Sequence, residues 1–592
     1  MKPARLQWSE EGILKSLDFD DIYFQPGQGA DESYYVFLEQ NRLPDRFGNL
    51  QGRSFHIAEL GFGSGLNFLL TAKLWLDRAP KNATLTFVSF EKHPIEKETL
   101  ARLYALWPEL KIHADDILRQ YPPLIEGFHH LHFANGRIHL MLALGDVNET
   151  LKEVSGTFDA WYLDGFAPAK NPAMWEDNIF PLVAARTKPG GTLASFTAAG
   201  HVRRGLAAAG FTVRKETGYG HKRDMTVAEC PGKVPAPSKR PPVTVLGAGI
   251  AGSAAAFALA RKGFGVTVID RHPSCAAEAS GNPAGILYPK LTVDKSPMGA
   301  FHTHGFCYTR SLLEELRLPS WNPCGVLHMD LNAEDRARSE KLIAGNEFPM
   351  GFARLEKKGV FQEGAGHLSP PELCRRLLDH PRITKIYSKN ISQLDMQDGI
   401  TVIAMGNASK TFPETAWLPL QSLRGQISFV KATPQSQKIT SVICHDGYIM
   451  PAVSGMHCIG ATFQKEPPDE PGLRAADHAE NIAKLAKNLP ELGFSVGAVT
   501  GGRTGYRATT PDRLPLIGPC PDFTSFAKGD GGYIDNLYVS TGFGAHGLSG
   551  AALAGEIIAC QIAGDPLPVP QSLMPYLLPE RFILRDKKRG KI

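Results

Sequence analysis

The first 230 residues alternate between short apolar runs and segments in which apolar residues recur every three or four positions. Apolar runs of this length predict buried strands, and the recurring pattern predicts helices. A helix is predicted at Leu66–Arg78. The predicted strands are Ser54–Leu60, Thr84–Phe90, Ile138–Leu144, Asp159–Leu163, Thr192–Phe196 and Met225–Glu229. Such alternation favours a Rossmann-like, doubly wound parallel sheet.

A second α/β pattern begins at Val243. It predicts a compact strand–helix–strand unit at Val243–Leu246, Ile250–Lys262 and Val266–Ile269. The chain returns to an apolar, glycine-rich segment only at Leu537–Ser549. Strand-like pieces lie between, at Gly425–Val430, Tyr448–Val453 and His457–Ala461. We therefore predict a second Rossmann domain interrupted by an inserted α+β substrate domain.

A proline-rich segment, residues 231–242, separates the two patterns and can form neither a helix nor a central strand. We predict one domain at 1–232, a linker at 233–242 and a second domain at 243–592. A chain of 592 residues is too long for a single core, which agrees with this division.

Charge and hydropathy narrow the classes of protein to which this chain can belong. The formal net charge is only +4, and residues 580–592 carry six basic against two acidic side chains. Alone, such a tail is more typical of a frayed, solvated end than of a phosphate-binding arm. No apolar stretch is long enough for a membrane span, and the N-terminus lacks the apolar core of a signal peptide. We expect a cytoplasmic protein without membrane contact.

The cysteines and histidines do not predict a metal site. The nine cysteines are scattered from Cys230 onward and form no C-x-x-C pair. The densest histidine cluster is His129, His130 and His132, which lacks a carboxylate or thiolate at ligand spacing. We interpret this cluster as a surface loop and expect no metal. The sequence leaves the oligomeric state open.

A dinucleotide-binding fingerprint, Gly247-x-Gly249-x-x-Gly252, stands between a predicted strand and a predicted helix. In this motif the first glycine allows a tight turn, the second lets the backbone approach a pyrophosphate, and the third lets helix and strand pack closely. Asp270 ends the next predicted strand, where it could accept hydrogen bonds from an adenosine ribose. The fingerprint alone does not separate NAD from FAD.

Four further segments make this half resemble the D-amino-acid/glycine oxidase family of flavoproteins. They are 279–285 (Ala-Ser-Gly-Asn-Pro-Ala-Gly), 424–427 (Arg-Gly-Gln-Ile), 505–518 and 541–547 (Thr-Gly-Phe-Gly-Ala-His-Gly). The resemblance implies FAD, a carboxylate clamp at Arg507, and cofactor contacts from Ser280, Asn282, Gly542, Gly544, His546 and Gly547. An ordinary ion pair remains the alternative for Arg507. One departure is Ala452, where the family often has arginine, so we expect an altered substrate pocket.

The first glycine loop, Glu59-x-Gly61-x-Gly63-x-Gly65, differs from a dinucleotide fingerprint and resembles motif I of class I S-adenosylmethionine (SAM) methyltransferases. The resemblance implies that Glu59 holds the amino group of SAM, Glu91 its ribose and Asp146 its adenine. A purely structural turn remains possible for this motif.

Asp164 follows a predicted strand, and ligands of open α/β sheets bind outside the carboxyl ends of strands. A carboxylate at this position could orient an amine beside the methyl group and take up its proton. The alternative is that Asp164 only caps its own loop.

The two halves together resemble the bifunctional MnmC family of tRNA 5-methylaminomethyl-2-thiouridine biosynthesis proteins. The resemblance rests on Glu59–Phe68, on Asp164–Pro172 (Asp-Gly-Phe-Ala-Pro-Ala-Lys-Asn-Pro) and on the order of the halves. It implies FAD-dependent removal of a carboxymethyl group from a tRNA wobble uridine, followed by SAM-dependent N-methylation. Candidate RNA contacts are Arg203, Arg204, Lys222, Arg223 and 585–589.

Two other functions remain open from the sequence. One is a fused methyltransferase and amine oxidase that acts on free small N-alkylglycines. The other is a tRNA-binding scaffold with inactive cofactor folds, which the complete glycine motifs disfavour.

Overall fold

The computed structural model describes all residues except 11, 26, 51–53, 235–239, 295, 346–347, 396–398 and 469–471. The chain divides into two compact units. Unit 1 comprises residues 1–240, 261–263 and 560–572, and unit 2 comprises 241–260, 264–559 and 573–592. Residues 235–239 of the predicted linker lie outside the described residues.

Unit 1 contains eleven strands among its described residues: β1 (Leu6–Trp8), β2 (Leu14–Ser16), β3 (Asp21–Ile22), β4 (Ser54–Leu60), β5 (Thr84–Glu91), β6 (Gly127–Phe133), β7 (Ile138–Leu144), β8 (Phe158–Leu163), β9 (Thr187–Ser195), β10 (Thr212–Thr217) and β11 (Asp224–Glu229). Its α-helices are α1 (Gly29–Ser33), α2 (Leu43–Gly48), α3 (Leu66–Arg78), α4 (Lys97–Tyr104), α5 (Lys111–Gln120), α6 (Val147–Glu153), α7 (Ile179–Ala185) and α8 (Gly200–Ala208), with a π-helix at Tyr34–Glu39.

Eight strands of unit 1 form one sheet in the order β10-β11-β9-β8-β4-β5-β7-β6. The five strands from β9 to β7 in this order are parallel, and the remaining strands pair antiparallel at the edges. The chain runs from β4 to β5 on one side and later returns to β8 on the other. The gap between β4 and β8 is therefore the switch point, where such sheets bind ligands. This confirms the predicted doubly wound sheet.

The sheet of unit 1 is buried on both faces, as its strand sequences predict. Along β8, Ala160 and Tyr162 contribute to one apolar cluster, and Trp161 and Leu163 to the other. Because side chains of a strand alternate between faces, a continuous apolar run fills both layers. Full burial of each such aromatic contributes about 1.5–3 kcal/mol, which fixes the strand ends that carry the site.

Unit 2 contains the remaining strands of the described chain: β12 (Val243–Leu246), β13 (Val266–Ile269), β14 (Gly285–Leu287), β15 (Val326–Met329), β16 (Arg354–Glu356), β17 (Gly359–Gln362), β18 (Gly366–Leu368), β19 (Ile383–Ile386), β20 (Ile400–Ile403), β21 (Gln421–Lys431), β22 (Val442–Cys444), β23 (Tyr448–Ile449), β24 (Met456–Gly460), β25 (Gln464–Lys465), β26 (Val499–Thr509), β27 (Leu516–Pro521) and β28 (Tyr533–Thr541). The helices that lie wholly or mainly in unit 2 are α9 (Ile250–Arg261), α10 (Pro297–Leu316), α11 (Ala333–Ala344), α12 (Pro370–Leu378), α13 (Ala475–Asn488), α14 (Phe523–Lys528), α15 (Gly547–Ala563) and α16 (Arg581–Lys588).

Two larger sheets organise unit 2. The first has the order β19-β13-β12-β20-β28-β27 and is parallel except for the edge strand β27. The second is mixed, with the order β16-β17-β15-β22-β23-β24-β21-β25 and β26 paired to β21. The mixed sheet is supplied by residues that lie between β13 and β28 in the chain, with α13 packed on it. The prediction of a Rossmann unit interrupted by an α+β insertion is confirmed.

Two sequence interpretations were wrong. The histidine cluster is no surface loop, because His129 and His132 are buried on β6. The basic tail is not frayed throughout, since α16 buries Phe582 and Ile583. In both places apolar residues between the polar ones order the segment. None of the described helices is long and apolar enough to cross a bilayer.

Candidate active sites

Unit 1 has a cavity of about 240 Å³ at the carboxyl ends of its parallel strands. The glycine loop after β4, Glu91 at the end of β5, Asp146 after β7 and Asp164 after β8 all reach it. Strands of one parallel sheet end at the same edge, so residues far apart in sequence converge there. The cavity lies at the switch point between β4 and β8.

The glycine loop of unit 1 is shaped for close backbone approach. Gly61 has a φ of +88°, and a Cβ there would lie 3.3 Å from the Gly165 Cα. A Cβ on Gly65 would lie 2.6 Å from the Phe62 ring. Both positions therefore need glycine, and the loop leaves its backbone exposed to a ligand rather than to a side chain.

Two carboxylates on the cavity wall are fixed by backbone amides. Glu91 accepts hydrogen bonds from the amides of Gly63 (3.0 Å) and His93 (2.7 Å). Asp146 caps α6 by accepting from the Asn148 amide and pairs with Lys92 at 2.8 Å. Both carboxylates line the cavity, and their contacts with the ribose and the adenine of SAM stay predictions.

Asp164 is held by two donors at the cavity edge. Its Oδ1 accepts from the Gly165 amide at 2.7 Å, and its Oδ2 accepts from Asn67 Nδ2 at 2.8 Å. Burial raises the pKa of Asp164 to about 6, although both hydrogen bonds lower it. One oxygen does cap its own loop, as the alternative interpretation held, yet the side chain also lines the cavity. Asp164 is thus a partly buried carboxylate at the cavity edge that can gain a proton near neutral pH.

Glu59 lies behind the cavity rather than on its wall. It is fully buried, and its oxygens accept from Ser89 Oγ (2.6 Å) and Asn67 Nδ2 (2.8 Å). Burial raises the pKa of Glu59 well above its usual value. The amide nitrogen of Asn67 is the donor to both acids. Asn67, to which the sequence analysis assigned no role, joins Glu59 to Asp164.

Unit 2 has a larger cavity of about 600 Å³ that begins at the second glycine loop. A Cβ on Gly252 would lie 1.8 Å from the Gly247 carbonyl oxygen, so helix α9 can pack this closely only on glycine. Asp270 accepts from the Ala248 amide at 2.7 Å and lines the cavity. Ser280 Oγ accepts from the Ile250 amide at the start of α9, where a pyrophosphate would be expected. The long cavity and the glycine cradle fit a dinucleotide.

Arg507 lies on β26 and also lines this cavity. Its Nη1 is buried without a hydrogen-bond partner, and no ion pair is recorded for it within the described chain. Burial lowers the pKa of the guanidinium, and Tyr448 opposes that effect. The ion-pair alternative therefore lacks support. A buried guanidinium nitrogen without a partner is costly, and a guanidinium is a natural receptor for a carboxylate.

The Arg507 guanidinium lies between a glycine and an aromatic ring. A Cβ on Gly425, on the neighbouring strand β21, would lie 1.9 Å from Arg507 Nη1. On the other side, the guanidinium carbon is 4.9 Å from the centre of the Phe463 ring. Sequence analysis missed Tyr448 and Phe463 as cavity residues, because no short motif includes an aromatic that reaches the wall from a separate hairpin.

Several predicted residues line the cavities and others lie behind them. Those on the walls are Gly61, Gly63, Glu91, Asp146 and Asp164 in unit 1, and Gly247, Gly249, Asp270, Ser280, Asn282, Arg507, Gly542, Gly544 and Gly547 in unit 2. Those that are not among the lining residues are Glu59, Gly65, Gly252 and His546. Direct contact with a cofactor stays a prediction for each residue.

His546 belongs to a buried basic cluster. Its ring centre is 4.7 Å from that of His302, and its Nε2 is 3.4 Å from Lys290 Nζ. Burial lowers the pKa of His546 to about 3, and the neighbouring His302 adds to this effect. The cluster is therefore neutral at its histidines near pH 7.

The candidate RNA contacts differ in their pairing and exposure. Lys222 pairs with Glu32 at 2.7 Å, whereas Arg204, Arg223, Lys588 and Arg589 are exposed. Within the described residues, no group of three or more histidine, cysteine or acidic side chains is arranged for a metal ion.

Comparison with known proteins gives two cofactor-dependent families, which agrees with one cavity in each unit. Residues 108–231 match the family of S-adenosyl-L-methionine-dependent methyltransferases, and residues 242–561 match the FAD dependent oxidoreductases. Over 99% of both chains, this sequence is 37% identical to the tRNA 5-methylaminomethyl-2-thiouridine biosynthesis bifunctional protein MnmC of Pseudomonas fluorescens. This chain belongs to the MnmC family. The MnmC proteins of Pseudomonas aeruginosa (38% identity, 99% of both chains) and Chromobacterium violaceum (37%, 100% of this chain and 98% of that one) agree.

Membership of the MnmC family assigns the two cofactors. The chain is an enzyme with a SAM-dependent methyltransferase domain and an FAD-dependent oxidoreductase domain. The glycine loop, Glu91 and Asp146 of unit 1 would hold SAM. The fingerprint, Asp270 and Ser280 of unit 2 would hold FAD.

Proposed function

We propose that this chain modifies the wobble uridine of tRNA in two steps on one amine. The first removes the carboxymethyl group of 5-carboxymethylaminomethyl-(2-thio)uridine and leaves the 5-aminomethyl form. The second methylates that amine to 5-methylaminomethyl-2-thiouridine. The names of the relatives support the product. The buried Nη1 of Arg507, which has no hydrogen-bond partner, is the observation that carries the choice of substrate for the oxidase. We assign the methylation to residues 1–232, the oxidation to 243–592, and the whole to the cytoplasm.

The carboxymethylamino group is an N-substituted glycine, and this chemistry explains the need for an anion receptor. The buried Arg507 guanidinium offers a fork that matches a carboxylate. When the carboxylate binds there, the carbon between it and the nitrogen is fixed relative to the rest of the cavity. Burial also excludes water from the pair and strengthens it.

The oxidation balances without a further catalytic residue. The carbon next to the nitrogen loses a hydride and the nitrogen loses a proton, so that a C=N bond forms. Water adds to this bond, the C–N bond breaks, and glyoxylate leaves the primary amine behind. Bound FAD supplies the acceptor for the two electrons.

Methylation then uses Asp164. The neutral amine attacks the methyl carbon in line with the bond to sulfur, and that bond breaks with its electrons on sulfur. The nitrogen becomes cationic, and its proton passes to Asp164, whose pKa of about 6 leaves it ionised at neutral pH. Asn67 orients the carboxylate through Oδ2. Bound SAM supplies the methyl group.

The order of the steps follows from the atoms. The carboxymethyl group must leave before the methyl group arrives, because both occupy the same nitrogen. Mass spectrometry of wobble nucleosides tests this order in cells. Loss of the whole chain should accumulate the carboxymethylated nucleoside, and Asp164→Ala should accumulate the bare aminomethyl form. Fully methylated product in the Asp164→Ala cells would refute the assigned role of Asp164.

A competing function is oxidation of free small N-alkylglycines. Purified protein should have its flavin reduced by hypomodified tRNA at lower concentrations than by sarcosine (N-methylglycine). RNA should be held through phosphates near the exposed Arg204, Arg223, Lys588 and Arg589, so the affinity should fall steeply with salt. An affinity that is flat between low and physiological salt would exclude such phosphate contacts.

A further inference from the structure

Phe463 is an exposed aromatic residue on the wall of the unit 2 cavity. It stands between β24 and β25, and 56% of the residue is accessible to solvent. Among the large hydrophobic residues recorded as exposed in the described chain, Phe463 is the one that also lines a described cavity. Exposed single aromatics are common, but this one stands at the site of the chemistry.

One face of the Phe463 ring is already occupied. The Arg507 guanidinium lies 4.9 Å from the ring centre, in the geometry of a cation–π contact. Gly425 provides the room for the guanidinium on its other side. The ring and the carboxylate receptor are thus adjacent parts of one site, and the exposed surface of Phe463 is left to another group.

The backbone on both sides of Phe463 is anchored. The Thr462 amide donates to the Gln426 carbonyl at 3.2 Å, and the Gln426 amide donates to Thr462 Oγ1 at 3.0 Å. On the other side, Gln464 pairs with Arg424 across β21 and β25 and donates to Asp477 at 3.2 Å. An exposed ring on a fixed backbone loses little conformational freedom when a flat partner binds it.

We propose that Phe463 is a stacking platform for the unpaired wobble base, whose substituent reaches past the ring to Arg507. The proposal rests on the proposed function and specifies how the same cavity recognises a nucleic acid. Proteins that read single-stranded RNA stack its bases on aromatic rings and contact the substituents with polar groups. A free N-alkylglycine has no flat ring to stack and would use Arg507 alone.

The test compares Phe463→Leu with Phe463→Trp in the full-length flavoprotein. Leucine keeps an apolar side chain but removes the flat π face, and tryptophan keeps the face. The matched control is Tyr576→Leu, which removes another exposed aromatic of unit 2 that lies outside the cavity. Each protein is titrated anaerobically with carboxymethylaminomethyl-tRNA and with sarcosine, and flavin reduction is followed. If sarcosine is not oxidised, it is used as a competitor.

For Phe463→Leu we expect the half-saturating tRNA concentration to rise about 10- to 100-fold, the usual effect of losing one base–aromatic stack. The sarcosine constant should change less than the tRNA constant, because for sarcosine only the contact between the ring and the Arg507 guanidinium is lost. Phe463→Trp and Tyr576→Leu should resemble the unaltered protein with both ligands. A binding assay with tRNA whose wobble uridine lacks the substituent should show the same loss for Phe463→Leu without any turnover.

Two results would overturn the platform. Equal weakening of tRNA and sarcosine would mean that Phe463 only shields or positions Arg507. Unchanged constants for both ligands would mean that no base stacks there. Failure of the proposed function has a different signature, because the unaltered protein would then be reduced by sarcosine and not by tRNA.

Discussion

The unit 1 cavity contains a partly buried acid held by hydrogen-bond donors, whereas the unit 2 cavity contains a partly buried cation whose buried Nη1 has no hydrogen-bond partner. Asp164 accepts from Gly165 and Asn67, and its pKa is raised to about 6. Arg507 has a free Nη1 and packs between Gly425 and Phe463. The first arrangement suits a group that must gain a proton during the reaction. The second suits a group whose charge never changes and whose partner arrives with the substrate.

Asp164→Asn should distinguish the reactions of the two cavities most clearly. The amide cannot take up the proton, so single-turnover methylation of aminomethyl-tRNA should fall about 10²- to 10⁴-fold. Flavin reduction by the carboxymethylated substrate should be unchanged, which serves as the internal control for folding. Methylation at near-normal rate would show that the acid in unit 1 is not a proton acceptor.

Arg507→Leu is the reciprocal change. It removes the receptor for the carboxylate and should lower the kcat/KM for flavin reduction about 10²- to 10³-fold, while methylation of aminomethyl-tRNA continues. Arg507→Lys keeps the charge but cannot form two parallel hydrogen bonds to a carboxylate. Its kcat/KM should lie between those of the unaltered protein and the leucine variant. A lysine variant as poor as the leucine variant would mean that geometry, not charge, dominates the site.

Gly425→Ala tests whether the Arg507 guanidinium is positioned by the absence of a side chain at residue 425. The new methyl group would collide with Arg507 Nη1, and the flexible arginine would move aside. We expect the KM for the carboxylate substrate to rise about 10-fold with the cofactor still bound. Gly472→Ala is the control, because a Cβ there meets nothing within 4 Å. Equal effects of the two variants would contradict the positioning role.

Asn67→Leu tests the donor that orients the acid in unit 1. Loss of its hydrogen bond should raise the pKa of Asp164, so the acidic limb of the methylation pH profile should move upward by about one unit. Thr71→Val removes a buried hydroxyl one turn along α3 that bonds to Tyr162, and it controls for general damage to the helix. A limb that stays in place in Asn67→Leu would rule out this function of the amide.

The smallest expected effect is on stability. The folded protein binds the Asp164 proton more tightly than the unfolded chain, since its pKa rises from 3.8 to about 6. Stability is therefore lost as pH rises between these values, and Asp164→Asn should avoid that loss. We expect a gain of about 1–3 kcal/mol at pH 7.5, measured by thermal denaturation, that disappears below about pH 4. A stability difference between the two proteins that is the same at pH 4 and at pH 7.5 would contradict the raised pKa.

Much of the fold could be predicted because local sequence and tertiary structure agree in the Rossmann elements. β4, α3, β7, β12 and β13 begin and end where their apolar patterns do. The mixed sheet was harder, since its strands are short and pair with partners far along the chain. β23, for example, has only two residues, although Tyr448–Val453 reads as a longer strand.

The candidate sites were predictable only where a motif encodes backbone geometry. The glycine loops reach the cavities as expected because their conformation depends on residues within a few positions. Glu59 was expected on the wall but lies behind Asn67, because the rotamers of both are set by packing that no spacing reveals. Phe463 could not be found from sequence, since its importance arises from β21 and β26, which meet beside it only in the folded chain.

The absence of a side chain at Gly425 limits how the specificity of the oxidase can be redesigned. The hydrogen on its Cα occupies a volume that any larger substituent would take from the guanidinium. A library that varies position 507 alone keeps an empty slot beside every shorter replacement, and one that varies position 425 alone displaces the arginine. Because the two positions are diagonal neighbours on adjacent strands, two residues out of register, new specificities should be sought among paired substitutions.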